Sequence, residues 1–429
     1  MEPADGEPWI VADDDAGRWD VHRMPADTLV GVPANPLAED VRAIIGGRGA
    51  VRAWTDRVKP ILRIGRAKSF GELVRSRMGE PLASRLVAPI AYGRYSADAD
   101  VLEVDAIAPG LNQAMTRAGS LSGGVALLIG DGRVPRFAGL RGGLSRLVDA
   151  LLAELERFDV RVLANRSATE LAPRAGGGWS VLGECVGGDE DAGSNEAGAA
   201  AVAPGEAVDG TAEPGTSVVV DARYALLAAP ASAAMRLLGA ARPEWAELGA
   251  EEAPAPDPVD TVVLVVDAPE LDREPRRGTV LAPRETPIVR AKSLTDETVR
   301  WAWLDDASGP GIHVLRVSYD PAAEPGIGAR DDDALIDQAL ADAGMLLGAP
   351  LGRGRLLGAV RTAFRDASSG FVIGRRERVG RARALLEGDV SIELAGSWVA
   401  GTELDSVVAD AREAAHRIRH DAFRVVPEG

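Results

Sequence analysis

The chain has a single cysteine, Cys185, among its 429 residues, which excludes an intrachain disulfide framework and a cysteine-based zinc centre. A lone thiol also fits a reducing compartment. Histidine is almost as scarce. His22, His313, His416 and His420 are the four, and none has metal-ligand company in the sequence. His416 and His420 stand four apart on an expected helix, but Arg417 and Arg419 flank them, so a solvated helix end is the better reading. Positive charge is in deficit as well: 65 acidic against 48 basic residues give a net charge of −17. This excludes a general nucleic-acid binder, because phosphate requires a basic face. No apolar run approaches the ~18 residues a membrane helix needs. The longest candidate, Ala222–Ala241, is broken by Arg223, Pro230 and Arg236. Residues 1–15 are acidic, the reverse of a secretory signal. The expectation is a soluble cytoplasmic protein, with peripheral membrane contact left open.

Catalytic fingerprints are missing too. There is no Walker loop, no G-x-S-x-G elbow, and too few histidines for a convincing Ser/His/Asp set. Gly47-Arg48-Gly49 lies between helical segments rather than after a strand, and Gly130-Asp131-Gly132 is followed too soon by Pro135. Neither makes a dinucleotide loop.

What is present alternates in character. Trp9–Val11 and Trp19–His22 read as short strands. Asn35 and Pro36 suit a helix start, Leu37, Val41 and Ile44 recur at helical spacing, and Gly46-Gly47 is expected to stop the run. Ser69-Phe70-Gly71-Glu72 is a capping box before a second helix, and Leu82, Leu86 and Val87 continue a third until Pro89. Leu147, Leu151 and Leu155 mark a helix after Gly142-Gly143. A strand is expected at Val160–Leu163, then a hairpin whose second member is Trp179–Leu182. Residues 183–217 are acidic and low in complexity, and read as a mobile surface loop. Strands resume at Val218–Val220 and Tyr224–Ala228. Further strands are expected at Thr261–Val266, Thr279–Leu281, Val299–Leu304 and Ile312–Tyr319, followed by a helix carrying Leu335, Ile336, Leu340 and Met345. A strand (Val390–Ala395), a glycine turn and a long helix (Leu404–Arg419) close the chain. The pattern is that of an α/β or α+β protein.

Three glycine-containing blocks carry a functional signal. They are Gly142-Gly143 before a helix, Leu226-Leu227-Ala228-Ala229-Pro230 after a strand, and Leu394–Gly401 between a buried strand and the last helix. The last could turn backbone N–H groups toward an anion. Together with Ser69–Arg75, Leu86–Tyr95, Phe137–Leu144, Arg290–Thr295 and Arg300–Leu304, these blocks resemble the protoporphyrinogen/coproporphyrinogen III oxidase family of amine-oxidase-like flavoproteins. The Arg290–Leu304 stretch is the most specific part. The resemblance implies an incomplete FAD-binding Rossmann-like domain, interleaved with a mixed-sheet substrate domain and a helical domain. The implied boundaries are 1–34 for substrate-domain strands, 35–130 for the helical domain, 131–240 for an FAD-domain segment, 241–365 for the substrate domain and 366–429 for the final FAD-domain segment.

Carried over residue by residue, the resemblance implies an adenine-side contact at Ala168 and a flavin-side tryptophan at Trp301. It places Gly401, Thr402, Glu403 and Leu404 at the turn over the flavin and pyrophosphate. Lys292 and Arg300 become candidates for substrate carboxylates. The implied activity is FAD-dependent oxidation of a porphyrinogen to the porphyrin in heme synthesis, with dioxygen as acceptor. The family begins with a strand and a G-x-G-x-x-G loop that this sequence does not show, so roughly 80 residues of a βαβ unit are expected to be missing. Glu403 replaces a small residue. A carboxylate about 5 Å from a reduced anionic flavin would cost roughly 3 kcal/mol at an effective dielectric of ~20. Ser368-Ser369-Gly370 stands for the usual Leu-Pro-Gln, and Arg375 for a histidine. Two rival readings follow: a degenerate, non-catalytic porphyrin- or partner-binding homologue, and a different flavin oxidase acting on amines or polyenes.

Overall fold

The computed structural model describes residues 2–3, 8–59, 67–131, 138–185, 217–250, 258–273, 277–364 and 370–424. In chain order its strands are β1 (Trp9–Asp13), β2 (Trp19–Arg23), β3 (Thr28–Leu29), β4 (Val32–Pro33), β5 (Arg166–Pro173), β6 (Trp179–Cys185) and β7 (Ser217–Ala222). They continue with β8 (Ala225–Leu227), β9 (Val259–Asp267), β10 (Thr279–Leu281), β11 (Ser293–Asp296), β12 (Ile312–Tyr319), β13 (Leu356–Phe364) and β14 (Ile392–Leu394). The helices used below are α1 (Glu39–Trp54), α2 (Phe70–Met78), α3 (Ala88–Tyr95), α4 (Leu121–Gly130), α5 (Ser145–Arg157), α6 (Ala231–Ala241), α7 (Glu297–Arg300), α8 (Ala302–Ser308), α9 (Asp332–Leu347), α10 (Arg375–Leu386), α11 (Ser397–Ala400) and α12 (Leu404–Arg424). Among the described residues no helix is long and apolar enough to cross a membrane.

The chain divides into two units, one of residues 1–146 and 257–373, the other of residues 147–256 and 374–429. The first unit is built on a seven-stranded mixed sheet in the order β13-β9-β12-β11-β10-β1-β2. Only β1 and β10 pair in parallel. Strict alternation sets its two faces. Val262, Leu264 and Val266 of β9 and Leu315, Val317 and Tyr319 of β12 point to one side and pack on Leu335, Ala339, Leu340 and Leu346 of α9. Asp331 caps α9 by accepting from Ala334 N at 2.7 Å. A second core in this unit joins α1, α2, α3 and α4 around Ile45, Phe70, Met78, Leu86 and Leu121. It contains a buried ion pair, in which Asp56 accepts from Arg77 Nε at 2.5 Å and from Ser122 N at 2.9 Å.

The second unit holds an antiparallel sheet, β5-β6-β7, and a two-stranded parallel sheet, β14-β8. Its core gathers Trp179, Leu237, Leu238, Trp245, Ile392, Leu394 and Trp398. Trp179 stacks on Trp245 with centroids 5.8 Å apart, and the Arg242 guanidinium lies over both rings.

Several expectations are borne out. The Ser69 cap accepts from Glu72 N at 3.2 Å, and β1, β2, β9, β10, β12, α9 and α12 lie where periodicity puts them. Others are corrected. Val299–Leu304 is not a strand but the two short helices α7 and α8, because Asp296 accepts from Thr298 N and Val299 N and so starts a helix. Val160–Leu163 forms no strand. Asn35 makes only a turn, accepting from Leu37 N, and α1 begins at Glu39. Gly46 kinks α1 instead of stopping it. At φ 72° it sits where a Cβ would approach the Asp15 carboxylate to 2.7 Å, and helix resumes on both sides. Pro89 does not end its helical run either, since a π-type turn over Ala83–Val87 absorbs it and α3 continues to Tyr95. The expected loop 183–217 is trimmed at both ends by β6 and β7, and its residues 186–216 lie outside those described. Phe137, Ser368 and Ser369 lie outside them as well.

Candidate functional site

The Arg290–Trp301 stretch folds into one device within the first unit. Lys292 is held at its backbone, donating N–H to Ser318 O and accepting from Ala282 N, both at 2.9 Å. Its side chain is buried, 3% exposed, and the ammonium meets Ser96 Oγ at the end of α3. β11 then leads to Asp296, which is 2% exposed and does two jobs. It caps α7, and it lies 2.9 Å from Nδ1 of the fully buried His313. The short helix delivers Trp301 at its end. The indole is fixed at its edge by Nε1 donating to Glu297 Oε2 at 3.0 Å. Its six-membered ring packs on Gly139, where a Cβ would come within 2.5 Å of the ring. That close approach explains a glycine in the block the sequence singled out. Arg300 reaches over the same indole at 5.6 Å, and its Nε is buried with no hydrogen-bond partner among the described residues.

Glu297 also takes an ion pair from Arg316 NH2 at 2.7 Å, linking the tryptophan to β12. Arg316 belongs to the sheet face opposite α9. That face, with Gly93, Arg94 and Ser96, encloses a cavity of 420 Å³ lined by Thr261, Lys292, Ser293, Arg316, Ser318 and Thr362 among others. Three cations and five hydroxyls face it, and no carboxylate does.

A second cavity, of 560 Å³, lies elsewhere in this unit, under residues 283–291. Its lining is mixed, with Arg284 and Arg290 balanced by Glu285, Glu324 and Asp342. Asp342 anchors that segment by accepting from Ala291 N at 3.0 Å and Tyr319 OH at 3.1 Å. Burial pushes its carboxyl above the ordinary carboxylate range, against the pull of those hydrogen bonds. Burial, with Asp320 nearby, raises the Tyr92 phenol as well. A carboxylate that is saturated by protein donors is a structural anchor, so this cavity is the weaker candidate.

The second unit holds the remaining sequence candidates. Ala168 is exposed on β5, at a register shift between Ala168 and Glu170. Gly401 has φ 113°, and Thr402, Glu403 and Leu404 are exposed as the chain enters α12. Arg375 donates to the carbonyls of Trp398 and Val399 at 3.2 and 3.0 Å, closing the end of α11 just before that turn. Ala168 and Gly401 thus sit in strands and turns of two different sheets, β5-β6-β7 and β14-β8.

The described residues of this unit do not fit the diphosphate of FAD. The turn after β8 is Ala228-Ala229-Pro230, whose proline has no N–H to offer, and the turn after β14 leads into a helix of four residues. Glu403 adds a negative charge where α12 begins. Trp301, the residue that the resemblance puts on the flavin side, is fixed in the first unit by Glu297 and Gly139, whereas the phosphate side finds no cradle among the described residues. Sequence reasoning proposed Lys292, Arg300 and Trp301 as site residues and did not single out Arg94, Ser96, Glu297 or Arg316, which lie beside them. Only Arg316 left a trace, as the polar alternate of Val314-Leu315-Arg316-Val317-Ser318.

No protein-family model matches the chain. Among curated proteins it is 28% identical over 167 residues to a coproporphyrinogen III oxidase of Mycobacterium bovis, covering 38% of this chain and 36% of that protein. It is 25% identical over 141 residues to the coproporphyrinogen III oxidase of Bacillus subtilis, covering 32% and 30%. The aligned part is thus about a third of the length of these curated relatives. Among solved structures, a protein from Exiguobacterium sp. assigned as a protoporphyrinogen oxidase superposes with a TM-score of 0.72 at 19% identity, over 98% of this chain and 82% of that one. Reduced UDP-galactopyranose mutase gives 0.60 at 14% identity, over 98% and 79%. Putrescine oxidase bound to putrescine gives 0.54 at 14%, over 97% and 82%. At these identities the structural likenesses establish the fold. The chain carries the amine-oxidase-like flavoprotein fold, and about a third of its sequence is similar to coproporphyrinogen III oxidases.

Proposed function

We propose that the chain binds a porphyrinogen and serves its FAD-dependent oxidation to the porphyrin, with dioxygen as acceptor, as a step of heme synthesis. One observation carries this reading: the Arg290–Trp301 device. It seats Lys292 in a cavity free of carboxylates and locks the Trp301 indole at both edge and face. A porphyrinogen needs cations for its propionates and a flat apolar surface for its rings, and the oxidation itself is chemistry the flavin supplies when bound. The protein's part is to bind and orient. Lys292 and Arg300 are assigned to substrate carboxylates, Trp301 to the flavin side.

A second reading is favoured by the second unit. With no diphosphate cradle among its described residues and Glu403 at the α12 start, the chain would bind porphyrin without turning it over. One experiment separates the two. The purified chain is incubated with FAD, desalted and scanned for flavin absorbance, then assayed for oxygen uptake and porphyrin fluorescence with coproporphyrinogen III and protoporphyrinogen IX. Retained flavin with porphyrin formation supports the oxidase. Porphyrin binding without flavin retention supports the binder. If neither flavin nor porphyrin is held, both readings fall.

A further inference from the structure

We infer that His313 is a positioning residue for the Trp301 platform, and that a proton shared between its Nε2 and Asp272 tightens the hold on that indole. The inference deepens the porphyrinogen reading and rests on it for what the Trp301 ring faces. The relay itself stands on its own geometry.

His313 lies on β12 and is fully buried, at a place where its strand neighbours Leu315 and Val317 pack with no polar atom to satisfy. Its Nδ1 stands 2.9 Å from Asp296 Oδ2. The other oxygen of Asp296 accepts from Thr298 N at 3.1 Å, Val299 N at 3.3 Å and the Thr298 hydroxyl at 2.5 Å. A carboxylate is acceptor-only, so the ring meets it with Nδ1–H as donor. Nε2 is the end left over. It lies 3.3 Å from Asp272 Oδ1, within ion-pair reach but without the alignment of a hydrogen bond, and it has no other partner among the described residues. With no proton between them, a ring lone pair and a carboxylate oxygen oppose each other at a buried atom, which is costly. With one, the contact can close as a charge-assisted bond, and the charged ring also strengthens its Nδ1–H bond to Asp296. The proton belongs to the pair, so the two groups share one transition.

Both ends of the relay are connected. The Asp272 side chain is 41% exposed, so its proton can exchange with solvent, and its second oxygen accepts from Gly311 N at 2.9 Å. At the other end Asp296 caps α7, a single turn of four residues and too short to absorb a shift. That turn carries Glu297, which holds Trp301 Nε1 at 3.0 Å and Arg316 at 2.7 Å, and Arg300, which lies over the same indole. The groups facing His313 are few. β9 places Val266 opposite it, β11 presents Asp296, and α7 presents Thr298 at 3.2 Å. Glu270, Arg273 and Arg277 line a cavity of 270 Å³ that reaches Asp296, and Arg355 holds Glu270 at 3.1 Å. The guanidiniums stay charged throughout and supply a constant field. As pH rises the pair loses its proton, Asp272 is released, and the grip on Asp296, α7 and Trp301 loosens.

The test uses the full chain labelled with fluorotryptophan, the Trp301 signal being the fluorine resonance that Trp301→Phe removes. That resonance is followed from pH 5 to pH 9, and coproporphyrin III binding is read by fluorescence at both ends. The expected result is a one-proton transition, with porphyrin held about threefold more weakly once the proton has left. Asp272→Asn keeps an acceptor for Gly311 N and offers Nε2 a donor at every pH. It should fix the resonance at its low-pH position and remove that part of the pH dependence of binding, the porphyrin's own ionisation being common to both chains. His313→Asn keeps a donor in the place of Nδ1 and lacks Nε2, so it too should abolish the transition. A merely structural His313 would give no transition for Asp272→Asn to remove. A Trp301 resonance that does not titrate, or that titrates unchanged in Asp272→Asn, overturns the relay and leaves the oxidase reading standing. A transition that Asp272→Asn abolishes, with no porphyrin bound at either pH, keeps the relay and removes the porphyrinogen reading.

Discussion

The two units of this chain bury their sheets to different degrees. In the first, seven strands are joined in one sheet, α9 covers one face, and a second core unites the helices. In the second, the described residues form a parallel sheet of two strands, and α5 has no buried residue. Parallel sheets ordinarily have both faces covered over more strands than this. Apolar side chains of α5 recur at helical spacing, with Val148 and Leu151 each 55% exposed and Leu155 37%. The difference teaches where the chain's information is complete. Residues that would handle a substrate lie in a unit whose cores are closed. Residues assigned to the cofactor's phosphate side lie in the unit whose apolar surfaces are open.

If the units are held by separate cores, each should unfold on its own. Trp179→Ala removes a fully buried ring and its stack on Trp245, a loss of about 3–5 kcal/mol to the second unit. Arg77→Ala strands the buried Asp56 carboxylate in the first unit, at a similar cost of about 3–5 kcal/mol. Hydrogen exchange along a urea series should show each change confined to its own unit. Both units losing protection together in either variant would mean a single cooperative core.

A smaller effect probes the site itself. Gly139→Ala places a methyl about where the Trp301 ring lies, at 2.5 Å, so the indole must shift and its bond to Glu297 must lengthen. Overpacking of this kind costs about 1–3 kcal/mol. The expected outcome is a destabilised first unit in urea and weaker porphyrin binding. An unchanged urea midpoint would show that Trp301 is free to move and is not a fixed platform.

Much of the fold was legible and the misreadings have definite causes. β9 and β12 were legible as short β-branched apolar runs, and α9 by its apolar residues Leu335, Ile336, Leu340 and Met345. Val299–Leu304 looked like a strand because Val299, Trp301 and Trp303 favour extended structure. Asp296 capping and the Glu297–Trp301 bond overrule that propensity. β13 was missed because none of its residues is buried and its half-buried positions include Gly358 and Arg361, whose guanidinium is held by Asp260 of β9 and by Asp332. The candidate site was half legible for the same reason. Lys292, Arg300 and Trp301 form one continuous stretch. The cavity lining draws Ser293, Ser318, Thr261 and Thr362 from four strands, and nothing local to Ser318 or Thr362 says they will be aligned.

The closed unit also carries a titrating anchor for which the open one offers no parallel among the described residues. Asp342 is buried, and its carboxyl value in the fold lies above that of the unfolded chain, near ~3.9. A raised acid keeps its proton in the native state after the unfolded chain has lost it. Its contribution to stability therefore falls as pH rises from about 4 through the folded value, then levels off. Asp342→Asn removes that slope, whatever constant offset its altered hydrogen bonds introduce. Urea midpoints of the first unit, taken across pH 4–7, should show the variant gaining on the native chain as pH rises. A constant difference would mean that Asp342 titrates alike in both states.

The smallest expected effect bears most directly on the comparison. Leu151→Lys puts a charge in the middle of the apolar face of α5, a change that would wreck a packed helix such as α9, where Leu340 is 2% exposed. Since Leu151 is 55% exposed, nothing is unburied and no ion is desolvated. The stability of the second unit should stay within about 0.5 kcal/mol of the native chain, while self-association driven by an exposed apolar patch should decrease. Sedimentation velocity and urea unfolding read the two quantities separately. A loss of 2 kcal/mol or more, roughly what burying a leucine is worth, would mean that α5 is covered in solution. The contrast between a closed and an open unit would then belong to the isolated fold and not to the protein as it works.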